Sequence, residues 1–418
     1  PFGAVSDPLS MVIAPASPVS GTAAALHLGF AEQRYFRNGL WVPAAGAFSF
    51  ARASSGTYFD AGPSVQSAAA DALRLNHDPV TGDPIGALLE GARTNLAKNS
   101  RDLDASGVVS GGAVADDGIW QTLTEDTATT FHRVVDSGYS VTSGTTYTLS
   151  RFVQYHDLQW VFLLFNDGAN PFIATFDILN GVVGQKTANV TSGMVEIFDG
   201  AYLIWITGTS TSTYSGANIQ IGGANTDTAS VQSYTGASRV FRASEAQFEA
   251  ASFPSSRIRT TSASATRAAD ALSITPVGGL PFEGFDLTKG TMVWEARADT
   301  FGERIAWSLY VNGSNFISGG GNGARALYAV SGGVNVADLY ALPTVSRVRV
   351  AAAWSAGDFA ASVNGAAVLT DTSGALPVGS PTLHIGSRNG NDHLFGSLEF
   401  LTYYPERLSN AELVAMAS

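Results

Sequence analysis

Cysteine is absent from the chain. Disulfides and thiolate metal sites are therefore excluded. Charge is sparse as well: Asp, Glu, Lys and Arg make up only 14% of the residues, where a globular average is roughly 25%. Lysine occurs only as Lys98, Lys186 and Lys289, and the net charge is −12. No basic cluster exists, so nucleic-acid binding by counterion release has no footprint. An anionic membrane surface would repel such a chain. No run approaches the roughly eighteen apolar residues of a spanning helix. The start, PFGAVSDPLSMVIAP, lacks the positive region and apolar core of a secretory signal. The expectation is a protein made and used without Sec export, or released by lysis. Helical periodicity is almost missing, and no repeat of roughly 20–50 residues suggests a propeller or solenoid.

Strand signals are present instead. Short runs of Val, Ile, Phe, Tyr, Trp and Thr alternate with Gly, Asn, Asp and Ser turns. Asn38-Gly39, Asn180-Gly181, Asn312-Gly313 and Asn364-Gly365 each sit between apolar runs. Asn and Gly tolerate the positive φ of a type I′ turn, so all four read as hairpins. VFLLF (161–165) and YLIWI (202–206) are apolar on both faces, as in strands covered on both sides. In RVRVAAAW, Val348, Val350, Ala352 and Trp354 share one face, and Arg347 and Arg349 the other. One helix is expected, at the end: Ser409 and Glu412 form a capping box, with Leu408 and Leu413 as a staple. The fold class is all-β, with two β-sandwich modules after an irregular N-terminal region. The boundaries read as 1–98 for that region, 99–258 for the first sandwich and 271–418 for the second. RTTSASATRAAD (259–270) has the composition of a linker.

The stretch HDPVTGDPIGALLEGARTNL (77–96) carries His77, Asp78, Asp83 and Glu90. Asp-Pro steps start turns, and their carboxylates accept backbone N–H groups. The four side chains lack metal-ligand spacing, so the stretch reads as a joint. A catalytic carboxylate pair is not visible either. Glu295, Asp299 and Glu303 are spaced by four, more than roughly ten ångströms along a strand at ~3.3 Å per residue. Asp116-Asp117 and Glu125-Asp126 read as loop acids. No Gly-x-Ser-x-Gly elbow occurs, and GGGNGAR (319–325) lacks the Lys-Ser/Thr of a phosphate loop.

Aromatic residues and polar loops suit sugars better, because sugars offer C–H faces to rings and hydroxyls to amides. Trp160, Tyr202, Trp205, Trp307 and Tyr310 are the candidate platforms. Candidate polar contacts are His156 and Asp157, and Arg388, Asn389, Asn391, Asp392 and His393 in SRNGNDH.

FARASSGTYFDAG (50–62) followed by RLNHDPVTGDPIGALLEGARTNLAKNS (74–100) resembles the opening of tailed-phage head-spike and fibre proteins, including head spikes of phage-like gene transfer agents. DGIWQTLTEDTATTFHRV (117–134), FDILNGVVG (176–184) and GAYLIWITG (200–208) are similar to carbohydrate-binding jelly rolls. GTMVWEARAD (290–299) and LFGSLEFLTYYPERLSNAEL (394–413) resemble laminin-G or concanavalin-like sandwiches. The resemblance implies a non-enzymatic, homo-oligomeric spike. Its residues 1–98 would dock on capsid or other particle proteins, and its sandwiches would bind host capsule or lipopolysaccharide. No cofactor is implied. Some such lectins hold Ca²⁺, which no acidic cluster here demands. A capsule depolymerase and a purely structural spacer are the alternatives.

Overall fold

The computed structural model describes residues 21–298, 304–321, 325–340, 342 and 347–418. Strands dominate, as the all-β reading requires. They build two sandwiches, and the chain visits one of them twice.

The middle sandwich has two six-stranded sheets among the described residues. One runs Val108–Ser110, Arg133–Val141, Tyr214–Ala224, Trp160–Asn166, Pro171–Asp177, Val182–Lys186 in spatial order. The other runs Gly112–Asp117, Trp120–Glu125, Val240–Glu249, Thr146–Tyr155, Ala201–Thr209, Thr191–Glu196. Val161, Leu163 and Phe165 from the first sheet meet Leu149, Val153, Ile204, Ile206 and Phe248 from the second. The second apolar face of VFLLF is also covered: Phe162 and Leu164 pack with Ile173 and with Val231 from the loop after Ala224.

The other sandwich is assembled from both ends of the chain. Its seven-stranded sheet ends on Ser49–Ala51, paired with Ala271–Ile274. In its ten-stranded sheet, Leu26–Gly29 pairs with Gly396–Tyr404, and so does Pro84–Leu89. That last approach is close. At Gly86, with φ +101°, an added Cβ would stand 2.0 Å from the Leu398 carbonyl oxygen. The core joins Trp294, Trp307 and Trp354 to Leu26, Leu28, Phe30 and Phe48. Residues 21–98 therefore do not form the separate irregular region expected from their scattered prolines. Their apolar positions complete sheet edges roughly 220 to 380 residues away in sequence, which no local pattern reveals. The middle sandwich is in effect an insertion between Pro84–Leu89 and Ala271–Ile274.

The hairpin expectations meet mixed detail. Asn38-Gly39 and Asn364-Gly365 hold two successive positive-φ residues, the I′ pattern. Around Asn180 the loop is longer, spanning 178–181, with only Gly181 at positive φ. There the Asp177 carboxylate accepts the Leu179 and Asn180 N–H groups and imposes its own turn. Near Asn312 the turn has slipped by one residue, because Asn312 pairs with Asn315.

Val348, Val350, Ala352 and Trp354 are all fully buried in the core. On the opposite face Ala351, Ala353 and Ala360 are small enough for the helix Asn410–Ala417 to lie on the sheet through Leu413 and Ala417. The capping box is formed as read: Glu412 N–H donates to Ser409 Oγ, and Ser409 N–H to Glu412 Oε2. Ser409→Ala is expected to lower stability by about 1 kcal/mol, measured by urea denaturation, with Ser409→Asp close to wild type.

The joint lies where the chain passes between sandwiches. Arg93–Asn95 on the way out pairs with Ala265–Arg267 on the way back. Here Glu90 receives hydrogen bonds from Arg74 and Ser256 and lies 3.0 Å from Arg267. Asp270 bridges Arg52 and Arg74 and accepts the Glu90 N–H. All five charged side chains are buried. The joint reading holds only for the end of HDPVTGDPIGALLEGARTNL: His77 and Pro84–Leu89 form a hairpin of the ten-stranded sheet, and residues 90–95 make the crossing between the two sandwiches. The linker reading of 259–270 misses that its Arg267 and Asp270 anchor it.

Candidate functional site

Alternation on the seven-stranded sheet sorts its side chains. Trp307, Leu309, Ile317, Leu327, Leu383 and Ile385 point into the core. Their neighbours Ser308, Tyr310, Phe316, Ser318, Tyr328 and His384 take the opposite face. Cross-strand pairing sets Ser308 beside both Ser318 and His384, Tyr310 beside Phe316, and Ser318 beside Tyr328.

The result is a connected strip of rings. His384 lies edge-on to Tyr310 at 6.0 Å, Tyr310 is stacked with Phe316 at 6.3 Å, and Phe316 meets Tyr328 at 5.4 Å. Arg388 lies over the interior of the strip, 4.8 Å from the Phe316 centroid, and is ion-paired to Asp392. Arg325 covers the Tyr328 end, 4.3 Å from Tyr328 and 4.8 Å from Tyr340, and pairs with Asp338. The Tyr328 hydroxyl donates to Asn335. Between the rings, Ser308 and Ser318 are fully buried, and their hydroxyls have no hydrogen-bond partner among the described residues. Burial lowers the His384 pKa, so at neutral pH the ring is uncharged and offers one donor and one acceptor. Phe316 and the two serines are buried beneath this layer, while Tyr310, Tyr328 and His384 are partly exposed. Their ring edges and neutral donors, with two paired ions, form a surface suited to a ring-shaped, hydroxyl-rich ligand.

The expected site residues divide. Tyr310, Arg388 and Asp392 come together on this face. Asn389 and Asn391 are exposed at its rim, where Asn389-Gly390 forms a tight turn closed by paired Arg388–Asn391 backbone bonds. His393 turns away. Its Nε2 contacts the Gly390 carbonyl at 3.0 Å, and its ring lies against Gly91 and Phe395 beside the joint. Trp307 is wholly inside the core, so its assignment as a platform is corrected: it lies on the sheet face opposite Ser308 and Tyr310. His156 and Asp157 belong to the other sandwich. There Asp157 accepts the Val240 N–H, and the two side chains lie 3.6 Å apart. Trp160 rests half-buried against Gly184 beside Asp227.

Phe316, Tyr328, His384, Arg325 and Asp338 are absent from the sequence-based set. Alternation carried their signal: in IAWSLYVN, Ser308 and Tyr310 must face away from Trp307 and Leu309.

The acids considered for catalysis are engaged elsewhere. Glu295 is buried between Arg347 and Arg349. Glu125, in a strand and not a loop, takes hydrogen bonds from Arg239 and Tyr234. Asp116 accepts from Gln121, and Asp117 pairs with Arg242. Asp299 and Glu303 lie outside the described residues. Among the described residues no cluster of three or more His, Asp or Glu is placed to hold a metal ion. No helix there is long and apolar enough to cross a membrane.

No family model and no curated protein matches the chain. Solved structures show distant likeness. Domain 4 of a GH43 extracellular arabinanase from Geobacillus stearothermophilus, in complex with arabinotriose, is 13% identical, with 36% of this chain and 73% of that one covered and a TM-score of 0.28. Mouse laminin α1 domains LG4-5 are 10% identical, covering 74% and 97%, at TM-score 0.25. Trypanosoma rangeli sialidase in complex with sialic acid is 12% identical, covering 73% and 62%, at TM-score 0.24. Scores this low assign neither a family nor an activity.

Proposed function

We propose that this chain is a carbohydrate-binding protein that grips bacterial surface polysaccharide, and that it does so as a head spike or fibre of a phage-like particle. The observation that carries the sugar reading is the strip His384–Tyr310–Phe316–Tyr328, flanked by Arg388–Asp392 and Arg325–Asp338. Its rings match successive sugar faces, and its polar rim matches hydroxyls. Per-site binding would be weak, with many copies on one particle supplying avidity. The particle setting rests on the resemblance of residues 50–100 to phage spike openings, and a closed homo-oligomer is the form such spikes favour. The pairing of Glu295 and Glu125 with arginines supports holding a polysaccharide over cutting it.

The test is affinity electrophoresis through gels containing host capsule or lipopolysaccharide, followed by sizing of the polysaccharide. Retardation with unchanged chain length is expected. Arg388→Ala should weaken retardation a few-fold, since its guanidinium lies over Phe316 in the middle of the strip. Shortened chains would make the protein a depolymerase, and free migration would leave it a spacer.

A further inference from the structure

The outer face of YLIWI is covered only in part: Leu203 packs with Phe59 and Val65 of the hairpin Gly56–Phe59/Val65–Ala68, and Trp205 is half-buried beside it. Ile204 and Ile206 enter the core, while Leu203 and Trp205 point the other way. They line a cleft of about 380 Å³ between the two sandwiches, within the roughly 300–1,000 Å³ of small-molecule sites. The double crossover stands at its back, contributing Glu90 and Ser256.

Trp205 is a half-buried ring of the cleft wall. Gly193 is its direct partner on the adjacent strand. A Cβ on Gly193 would stand 2.0 Å from the Trp205 Cζ2 atom. Only glycine lets the indole lie flat across that strand. One ring face therefore rests on backbone, and the ring borders the cleft. Phe59, Ile85, Val195 and Phe253 make much of the remaining wall apolar. Polar side chains also line the cleft, but most are engaged with one another or with backbone: Glu90 with Arg74, Arg267 and Ser256, Thr57 with the Arg257 carbonyl, Asn76 with the Phe59 N–H, and Asp78 with Arg297 at 3.7 Å.

This chemistry selects among sugars. A saccharide with hydroxyls on every edge would leave several of them unpaired against hydrocarbon, which is unfavourable. An acetamido group at one such edge presents a methyl suited to these walls, with its amide N–H and C=O directed to the polar back of the cleft at Ser256 and Glu90. We propose that the cleft binds an acetylated saccharide unit stacked on Trp205, as a second site distinct from the aromatic sheet face. The proposal rests on the reading of the protein as a glycan binder but uses a different surface.

Isothermal titration of the full chain with chitotriose and cellotriose tests it. The two trisaccharides share a β-1,4-linked glucose backbone and differ at C2, acetamido against hydroxyl. Chitotriose should bind at least tenfold more tightly than cellotriose. Trp205→Ala should abolish that binding, Trp205→Phe should retain part of it, and Asp117→Ala, which breaks only an exposed pair with Arg242, should leave it unchanged. If Trp205→Ala does not fold, the Trp205 indole N–H resonance of the wild type serves instead, and it should shift on adding chitotriose. Equal affinity for both sugars, no chitotriose binding, or an unmoved Trp205 signal would overturn the proposal. Those outcomes leave polysaccharide retention by the sheet face standing. Retention lost with chitotriose binding intact would instead remove the sheet-face site alone.

Discussion

Asp270→Ala is expected to lower the melting temperature by roughly 10 °C, the equivalent of about 3–5 kcal/mol. The carboxylate pairs with Arg52 at 3.1 Å and Arg74 at 2.5 Å, and none of the three side chains touches solvent. It also accepts the Glu90 N–H at 2.8 Å. Removing it leaves Arg52, Arg74 and Arg267 around Glu90 alone, so uncompensated positive charge stays buried. The appropriate control is Asp117→Ala, which breaks an exposed pair with Arg242. Exposed pairs contribute about 0–1 kcal/mol. Differential scanning calorimetry of the two variants decides the matter, and equal melting would refute a structural role for the joint. Because both chain crossings pass through this cluster, Asp270→Ala should also increase amide exchange in Arg93–Asn95 and Ala265–Arg267.

Acid is the second large effect. Glu90 is fully buried, and its pKa falls to about 2 despite that burial, because Arg267 and Arg74 face it and Ser256 donates to it. An unfolded glutamate titrates near 4.5. A depressed folded-state pKa means that the stabilisation is complete above about pH 4.5 and is lost as pH falls from there towards 2. The loss amounts to roughly 3 kcal/mol at about 1.4 kcal/mol per pKa unit. Urea midpoints measured from pH 6 to pH 2.5 should therefore fall steeply below pH 4.5. Glu90→Gln should flatten that segment of the curve while lowering stability at pH 6. An unchanged slope in the variant would show that other carboxylates carry the acid response.

Local chemistry was the legible part of this sequence. The Ser409–Glu412 cap, the buried face of RVRVAAAW and the turn at Asn364-Gly365 each depend on residues a few positions apart, and each is present. The slip at Asn312-Gly313 and the longer loop at Asn180-Gly181 show a cross-strand register and one carboxylate overriding a dipeptide preference. What could not be read was long-range closure. Leu26–Gly29 looks irregular until Gly396–Tyr404 lies beside it. RTTSASATRAAD looks like linker until Arg267 and Asp270 meet Glu90 and Arg74. The binding face was half legible for the same reason. Tyr310, Arg388 and Asp392 stood out one at a time, but Phe316, Tyr328 and His384 become neighbours only through the register of four strands.

The most direct test of the sugar-gripping face is the affinity of Tyr310→Ala/Tyr328→Ala for host surface polysaccharide, measured beside wild type at equal melting temperature. Two lost rings, at about 0.5–1.5 kcal/mol each, predict roughly tenfold weaker retention or worse. Retention equal to that of the wild type would contradict the account.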